Sequence, residues 1–141
     1  MNTMFDKFPE LLLIDATYKL TELRTPLYVL LVVDGSGNSE IVAIYLTVQE
    51  NEPSIQKLAD VFKKYNASLR STKVIMTDKD MTERNVFSRE FPDAVMHLCL
   101  FYTLRTFKRE FSRDKMNITA GQREHLLELL QEMTYAKSET A

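Results

Sequence analysis

Short apolar runs separated by polar turns fill the first third of the chain. The runs cover Leu11 to Asp15, Leu27 to Val33 and Ile41 to Val48, and the second run is rich in β-branched residues. Apolar runs of this length between turn signals predict buried strands. Residues 34–38, DGSGN, predict a hairpin between the second and third strands, because Gly and Asn tolerate positive φ. The pattern therefore predicts three consecutive antiparallel strands.

A helical period replaces this pattern after residue 50 and then alternates with strand-like runs. Pro53 opens a helix, because its missing N–H has no intrahelical partner at that position. Lys73 to Asp78 and Ala94 to Leu98 predict two more strands, and Met81 to Glu90 predicts a helix between them. One side of the Pro53 helix is apolar, and the residues on it are Ile55, Leu58, Ala59, Phe62 and Tyr65.

Two further helices are predicted at the end of the chain. The first runs from Cys99 to about Phe111. The second follows a capping-box match at residues 119–122, TAGQ, and has Leu126 and Leu130 on one side. The element order is β-β-β-α-β-α-β-α-α, which predicts an α/β fold with a mixed five-stranded sheet and flanking helices. Right-handed crossovers would make the fourth and fifth strands parallel to the first.

Composition narrows the class of protein. The 141 residues suit one domain, and 45% of them are hydrophobic, which is enough to bury a core. Because 18 Lys and Arg residues nearly balance 20 Asp and Glu residues, the whole chain lacks the charge of a nucleic-acid binder. The single cysteine, Cys99, excludes an internal disulfide and a Cys-rich zinc site. The sequence has neither a signal-peptide layout nor a bilayer-length apolar run, so we expect a soluble intracellular protein without membrane contact.

Two of the predicted strands end in an aspartate. Leu11 to Asp15 reads LLLID and Lys73 to Asp78 reads KVIMTD. If these strands are parallel neighbours, Asp15 and Asp78 reach the same sheet edge, where α/β proteins place ligands. Two close carboxylates repel each other, and Mg²⁺ or Mn²⁺ would relieve the repulsion. Two such ions could support phosphodiester chemistry. Alternatively, each acid only caps a turn, and Asp78 or Asp80 caps the Met81 helix.

A basic segment follows the predicted fifth strand. Its cations could contact DNA phosphates, although a solvated helix face explains the same pattern. These cations are Arg105, Lys108, Arg109, Arg113 and Lys115.

Three blocks of sequence resemble a known family. They are DATYKLT at 15–21, VIMTDKD at 74–80 and FPDAVMHLCLFYTLR at 91–105. Together they resemble the RNase H-like domain of Mutator-like-element (MULE) transposases, in particular the domesticated descendants in SWIM-type zinc-finger proteins. The resemblance implies an RNase H-like fold, a nuclear and DNA-related origin, and Asp15 and Asp78 as the first two positions of a DDE metal triad.

The chain departs from that family in two places. In the family a Cys-x-x-His motif follows the fifth strand, whereas here Tyr102 stands three residues after Cys99. The third acid lies on a late helix in the family, and the late acids here, Glu124, Glu128 and Glu132, come too early. We therefore expect the third acid to lie outside this chain and the fold to be incomplete at its C-terminal end.

These features divide the chain and favour one function over two others. The expected domains are residues 1–115, RNase H-like, and residues 116–141, a helix starting a helical insertion followed by a frayed tail. The favoured function is a non-catalytic scaffold or interaction module of a nuclear protein, with protein partners that the sequence does not name. The alternative is a Mg²⁺-dependent polynucleotidyl transferase core in which Asp15 and Asp78 bind metal and residues outside the chain complete the site. A third interpretation is a small α/β binding domain whose acids only cap turns.

Overall fold

Two compact parts of the chain are described by the structure, which is a computed structural model. The description covers residues 3–17, 25–112 and 116–136. The two units are Met1–Leu98 and Cys99–Ala141. Two of the predicted cations, Arg113 and Lys115, and the predicted tail at 137–141 lie outside the described residues. The predicted domains, 1–115 and 116–141, stay a prediction.

The first unit is built on a five-stranded sheet with the order β3-β2-β1-β4-β5. β1 pairs antiparallel with β2, and β2 with β3, while β1–β4 and β4–β5 are parallel pairs. The predicted mixed sheet is thereby confirmed. The strands are β1 Leu11–Thr17, β2 Leu27–Val33, β3 Ser39–Leu46, β4 Val74–Thr77 and β5 Val95–Leu98.

Helices alternate with these strands along the chain, and all but the first follow the order that the hydrophobic pattern predicts. A short 3-10 helix, Ala67–Ser71, leads from α2 into β4. In the first unit the α-helices are α1 Thr3–Lys7, α2 Glu52–Tyr65 and α3 Met81–Glu90, and in the second they are α4 Leu100–Glu110 and α5 Ala120–Tyr135. Within the described residues, no helix is both long and apolar enough to cross a bilayer.

The core of the first unit lies on one face of the sheet. Alternate residues of β1, Leu12 and Ile14, are buried there, because successive strand side chains point to opposite faces. Leu30 of β2 is directly opposite Ile14 and is also buried. α2 and α3 cover this face with apolar side chains, which are Ile55, Leu58, Ala59, Phe62, Val86 and Phe87.

Two predicted details of α2 and β1 need correction. Tyr65 was placed on the apolar face of α2, but its side chain is exposed because it lies in the last turn, beyond the covering core. β1 was predicted to end at Asp15, but it continues to Thr17 because Ala16 and Thr17 still pair with β2. Asp15 therefore lies inside β1, and only Asp78 directly follows the end of its strand.

One helix was not predicted at all. α1 has only five residues, which is too short to show a helical period. Its Phe5 is fully buried and packs edge-on against Phe62 of α2, with ring centroids 5.1 Å apart. An aromatic contact of this kind contributes beyond the area it buries.

Polar contacts fix α2 and α3 at their ends. The Asn51 side chain caps α2 by accepting a hydrogen bond from the Ser54 N–H at 3.1 Å. Lys63 of α2 forms an ion pair with Glu90 of α3 at 2.7 Å. The cap fixes the start of α2, and the ion pair joins α2 to α3.

In the second unit, a side chain at the start of α5 binds the end of α4. The predicted capping box of Thr119 and Gln122 is present at the start of α5. Arg123 donates hydrogen bonds to the carbonyl oxygens of Phe111 and Lys108, at 2.7 and 3.0 Å. A guanidinium is well suited to this place, because the last carbonyls of a helix lack intrahelical donors.

We expect Leu30→Ala to lower the free energy of unfolding by about 2–5 kcal/mol, because a fully buried leucine leaves a cavity when it is truncated. The matched control is Leu46→Ala on β3, since Leu46 is 60% exposed whereas Leu30 is 0% exposed. Urea denaturation of both variants measures the difference. Equal losses would show that the core does not lie on the face that α2 and α3 cover.

Candidate functional site

The parallel pairing of β1 with β4 brings Asp15 and Asp78 to the same level of the sheet. The observed partners are Leu11 with Val74, Leu12 with Ile75 and Leu13 with Met76. The two residues of each pair are the same number of positions apart in the sequence as Asp15 and Asp78, so the same register aligns these two aspartates. Neighbouring strands lie about 4.8 Å apart, so the two backbones come close at this level. The register therefore places Asp15, inside β1, beside the carboxyl end of β4, which Asp78 follows.

One contact of Asp15 is with the residue two positions further along β1. Its Oδ2 accepts a hydrogen bond from the Thr17 hydroxyl at 3.3 Å. By the alternation of β1, Asp15 shares a sheet face with Leu11 and Leu13, opposite to the face of Ile14. The carboxylate is half-buried there.

The contacts of Asp78 organise the turn into α3. Its Oδ1 accepts a hydrogen bond from the Asp80 N–H at 2.8 Å. The Asp80 side chain in turn caps α3 by accepting from the Glu83 N–H at 3.0 Å. The predicted capping role is confirmed for Asp80, and Asp78 supports it from the preceding turn.

Glu83 is the most unusual side chain in this region. It is only 1% exposed, and its Oε1 has no hydrogen-bond partner among the described residues. Burial raises its pKa to about 9, and the charges of Asp78, Asp80 and Glu50 and a side-chain hydrogen bond with Asp78 add to the shift. A pKa in this range favours the neutral form of Glu83 at neutral pH, and a neutral carboxyl can donate a hydrogen bond to Asp78.

Tyr28 and Glu50 complete the cluster. The buried Tyr28 hydroxyl donates a hydrogen bond to Glu50 Oε1 at 3.3 Å. Burial and the nearby charges of Glu83, Asp80 and Asp78 raise the pKa of Tyr28. Burial and the charges of Asp80 and Asp78 also raise the pKa of Glu50. The acidic cluster of Glu50, Asp78, Asp80 and Glu83 thus carries excess negative charge around one buried phenol.

This arrangement does not form a metal centre from the described residues alone. Among residues 3–17, 25–112 and 116–136, no three His, Cys, Asp or Glu side chains are placed to bind one ion. Asp78 Oδ1 accepts a hydrogen bond from a backbone N–H, and Asp78 also interacts with Glu83, whose raised pKa favours the neutral form. The assignment of Asp15 and Asp78 as catalytic metal ligands stays a prediction.

The late acids considered for the third position lie on α5 in the second unit. Glu124, Glu128 and Glu132 are exposed there, and Glu128 lies 4.0 Å from His125. Cys99 precedes α4 as its N-cap residue, and the Tyr102 ring packs edge-on against Phe101 at 5.4 Å.

The basic helix is α4, where Arg105, Lys108 and Arg109 are exposed. Arg109 forms an ion pair with Glu110 at 2.9 Å, which reduces the net charge of this face. The DNA contact predicted through these residues and Arg113 stays a prediction, and Arg113 lies outside the described residues.

Sequence reasoning missed Glu83 as a member of the site. Asp80 and Glu83 have the spacing of a capping box, in which the glutamate turns back to the helix start. Here Asp78 satisfies the Asp80 N–H instead, so Glu83 is free to turn inward. The signal in the sequence that could have identified Glu83 is its position three residues after Asp80.

A family model and two solved structures are similar to this chain. The model of the RNase H-like domain of zinc finger SWIM domain-containing protein 1/3 matches residues 1–97, which is more than half of the 141 residues. The matched range contains β1 to β4 and β5 as far as His97. It includes Asp15, Asp78 and Glu83.

Both solved structures are viral and distant. A chain of the simian T-cell lymphotropic virus intasome, in complex with PP2A regulatory subunit B56 gamma, is 15% identical with a TM-score of 0.40. The similarity covers 84% of this chain and 46% of that one. The HTLV-2 integrase catalytic core domain, in complex with magnesium in a dimeric form, is 12% identical with a TM-score of 0.36. It covers 84% of this chain and 81% of that one. At these values neither carries an argument about function.

We expect Glu83→Gln to flatten the pH dependence of stability. Burial favours the neutral carboxyl of Glu83, so its pKa is higher in the folded chain than in the unfolded chain. The resulting contribution to the free energy of unfolding is complete below pH 4.5 and is lost as the pH rises to about 9. In the parent chain the free energy of unfolding should fall across that interval by up to about 1.4 kcal/mol per pH unit. Glutamine keeps the shape and cannot ionise.

Urea denaturation at a series of pH values measures both slopes. The matched control is Glu40→Gln, because Glu40 is exposed on β3 and its replacement should leave the parent slope unchanged. Parallel curves for the parent chain and Glu83→Gln would contradict a neutral buried Glu83.

Proposed function

Because the chain belongs to the RNase H-like domain family of zinc finger SWIM domain-containing proteins 1 and 3, we propose that it is a transposase-derived, non-catalytic interaction module. The family membership establishes the RNase H-like fold, with a mixed five-stranded sheet and flanking helices. The transposase origin, the loss of catalysis and the scaffold role are the proposal.

The observation that supports lost catalysis is the contact of Asp78 with Glu83. Catalytic two-metal sites need ionised carboxylates whose oxygens are free to face the ions. Here Glu83 is 1% exposed beside Asp78, its raised pKa favours the neutral form, and the Asp80 N–H donates to Asp78 Oδ1. A neutral Glu83 that donates to Asp78 would use an oxygen of Asp78 that an ion needs, and it would add no charge to attract that ion.

A second candidate function has one observation in its favour. The register of β1 with β4 puts Asp15 and Asp78 at the same level of adjacent parallel strands, as a two-carboxylate metal site requires. In this alternative the chain is the core of a Mg²⁺-dependent or Mn²⁺-dependent polynucleotidyl transferase. Residues outside this chain would then supply the remaining ligand, and the ions would supply activation of a water or hydroxyl nucleophile.

We also propose a nuclear location and a contact with DNA. Both come from the transposase resemblance, and the exposed cations Arg105, Lys108 and Arg109 are compatible with a phosphate contact.

We expect the purified chain to show no metal-dependent nicking or strand transfer above the background of its Asp15→Asn variant. The assay incubates labelled duplex DNA with millimolar Mg²⁺ or Mn²⁺ and separates the products on a denaturing gel. Metal-dependent product that disappears in Asp15→Asn but persists in Glu40→Gln would refute the non-catalytic proposal.

Metal binding can be measured without any reaction. We expect millimolar Mg²⁺ or Mn²⁺ to change the melting temperature of the parent chain and of Asp78→Asn equally, because a specific ion would stabilise only the chain that holds both carboxylates. NMR shifts confined to residues around Asp15 and Asp78, lost in Asp78→Asn, would instead support the transferase core.

A further inference from the structure

The second unit of the chain exposes apolar side chains of the kind that packed helices bury. Within residues 99–112 and 116–136, no residue is buried. Helices of 11 and 16 residues, such as α4 and α5, owe most of their stability to tertiary packing. The second unit therefore presents an apolar surface that a further molecule would bury. The large apolar side chains exposed on it are Leu100, Phe101, Met116, Leu129, Met133 and Tyr135.

One row of side chains on α4 combines an aromatic ring with two cations. Phe101, Arg105 and Lys108 have the spacing i, i+4, i+7, which puts them on the same side of the helix. Phe101 is 64% exposed, and both cations are exposed as well. Neither cation forms an ion pair with another residue that the structure describes. We call this row the basic stripe of α4.

A row of side chains on α5 has the same spacing and the opposite charge. Glu128, Glu132 and Tyr135 occupy positions i, i+4 and i+7 of that helix. Together with Gln131 they line a shallow groove of ≈ 460 Å³. Tyr135 is 60% exposed, and Glu128 lies 4.0 Å from His125, which is charged only when it is protonated. We call this row the acidic stripe of α5.

The two stripes complement each other when the helices that carry them run antiparallel. Both stripes have the same length, roughly 10 Å along the helix axis. In antiparallel alignment the ring of one stripe faces the ring of the other, and each cation faces a carboxylate. A parallel alignment would instead put each ring against a charged side chain. The antiparallel pairs are Phe101 with Tyr135, Arg105 with Glu132 and Lys108 with Glu128.

Within one chain, a different side of α5 is directed at α4. Arg123 of α5 donates hydrogen bonds to the carbonyl oxygens of Phe111 and Lys108, at 2.7 and 3.0 Å. Leu127 and Leu130 follow Arg123 at positions i+4 and i+7, so they lie on its side of the helix, and both are half-buried. The acidic stripe lies on another side and is exposed. Both stripes are therefore open to a second molecule.

We propose that two copies of this chain form a symmetric dimer, in which the basic stripe of α4 of each copy packs against the acidic stripe of α5 of the other. A two-fold axis makes the contact twice, so the interface is closed. The chain itself identifies the second copy as the occupant, because its two stripes match in length, charge and order of side chains. One side of two short helices makes a small interface, so we expect a weak dimer. The inference does not depend on the loss of catalysis.

The dimer would share two cations with the proposed DNA contact. Arg105 and Lys108 face carboxylates in the dimer, so their contact with phosphate would be open only to the monomer.

Sedimentation velocity of the full chain, from micromolar to millimolar concentration, measures the association. We expect a monomer at the lowest concentrations and a dimer, with no larger species, at the highest. Because salt screens exposed ion pairs, the dimer should dissociate more readily at high ionic strength than at low ionic strength. A chain that stays monomeric throughout, or that assembles into open-ended oligomers, would overturn the proposal.

Two charge-reversal variants test which side chains pair. Arg105→Glu and Glu132→Arg should each weaken dimerisation by roughly tenfold or more, because each puts two like-charged pairs into the symmetric dimer. An equimolar mixture of the two variants should form a heterodimer about as tight as the parent dimer, since each contact between them then joins opposite charges. The matched control is Arg109→Glu, which makes the same charge change on α4 outside the basic stripe and should dimerise like the parent chain.

A third variant tests the ring contact and does not change the charge. Phe101→Ser should weaken the dimer at low and at high ionic strength alike, because it removes an aromatic contact that salt does not screen. All three replaced side chains are exposed, so circular dichroism should show the helix content of the parent chain in each variant. Single charge reversals that dimerise like the parent, or a mixture that stays monomeric, would show that the stripes do not form the interface. None of these results bears on the nicking assay, so the dimer and the loss of catalysis fail separately.

Discussion

The parallel pairing of β1 with β4 is the constraint on which the first unit depends. It joins segments that are far apart in sequence, and the long connection between them contains β2, β3 and α2. Closing such a loop is costly in entropy, so the buried faces of both strands must stabilise the pair. Leu12 of β1 and Ile75 of β4, which are register partners, are both fully buried. The same register fixes the level of Asp15 and Asp78, so core packing and site placement have one cause.

The sequence predicted the parts of the fold that have a clear period. Every strand was predicted near its observed position, because apolar runs between turn residues are an unambiguous signal. The sequence missed α1, whose five residues cannot show a helical period, although Phe5 fills the core against Phe62. It also ended β1 at the charged Asp15, because the pairing of Ala16 and Thr17 with β2 depends on a partner strand that a local pattern does not reveal.

The sequence predicted only part of the site, because the burial of Glu83 also depends on contacts that form in the folded chain. Two aspartates after apolar runs are visible in sequence, and the register brings their backbones together. Glu83 is not visible, because a charged residue in the first turn of a helix normally faces solvent and complements the helix dipole. Its burial follows from Asp78 occupying the Asp80 N–H, which is the capping partner that Glu83 would otherwise have. Which side chain accepts from the Asp80 N–H is decided only in the folded turn, so the sequence alone does not reveal it.

Two carboxylates that approach each other can lower their repulsion by binding a cation or by sharing a proton. The sequence suggests the cation, since the pair that it shows is Asp15 and Asp78. The fold provides the proton, because a nearly fully buried Glu83 lies against Asp78 and burial favours its neutral form. An ion at Asp78 would compete with the Asp80 N–H and with Glu83 for the oxygens of Asp78, and its binding must exceed the loss of those contacts. At the other end of β4, Asn66 Oδ1 and the Thr72 hydroxyl have no hydrogen-bond partner among the described residues. The burial of Glu83 beside Asp78 is the reason that we propose an interaction module for this domain rather than an enzyme that cleaves phosphodiesters.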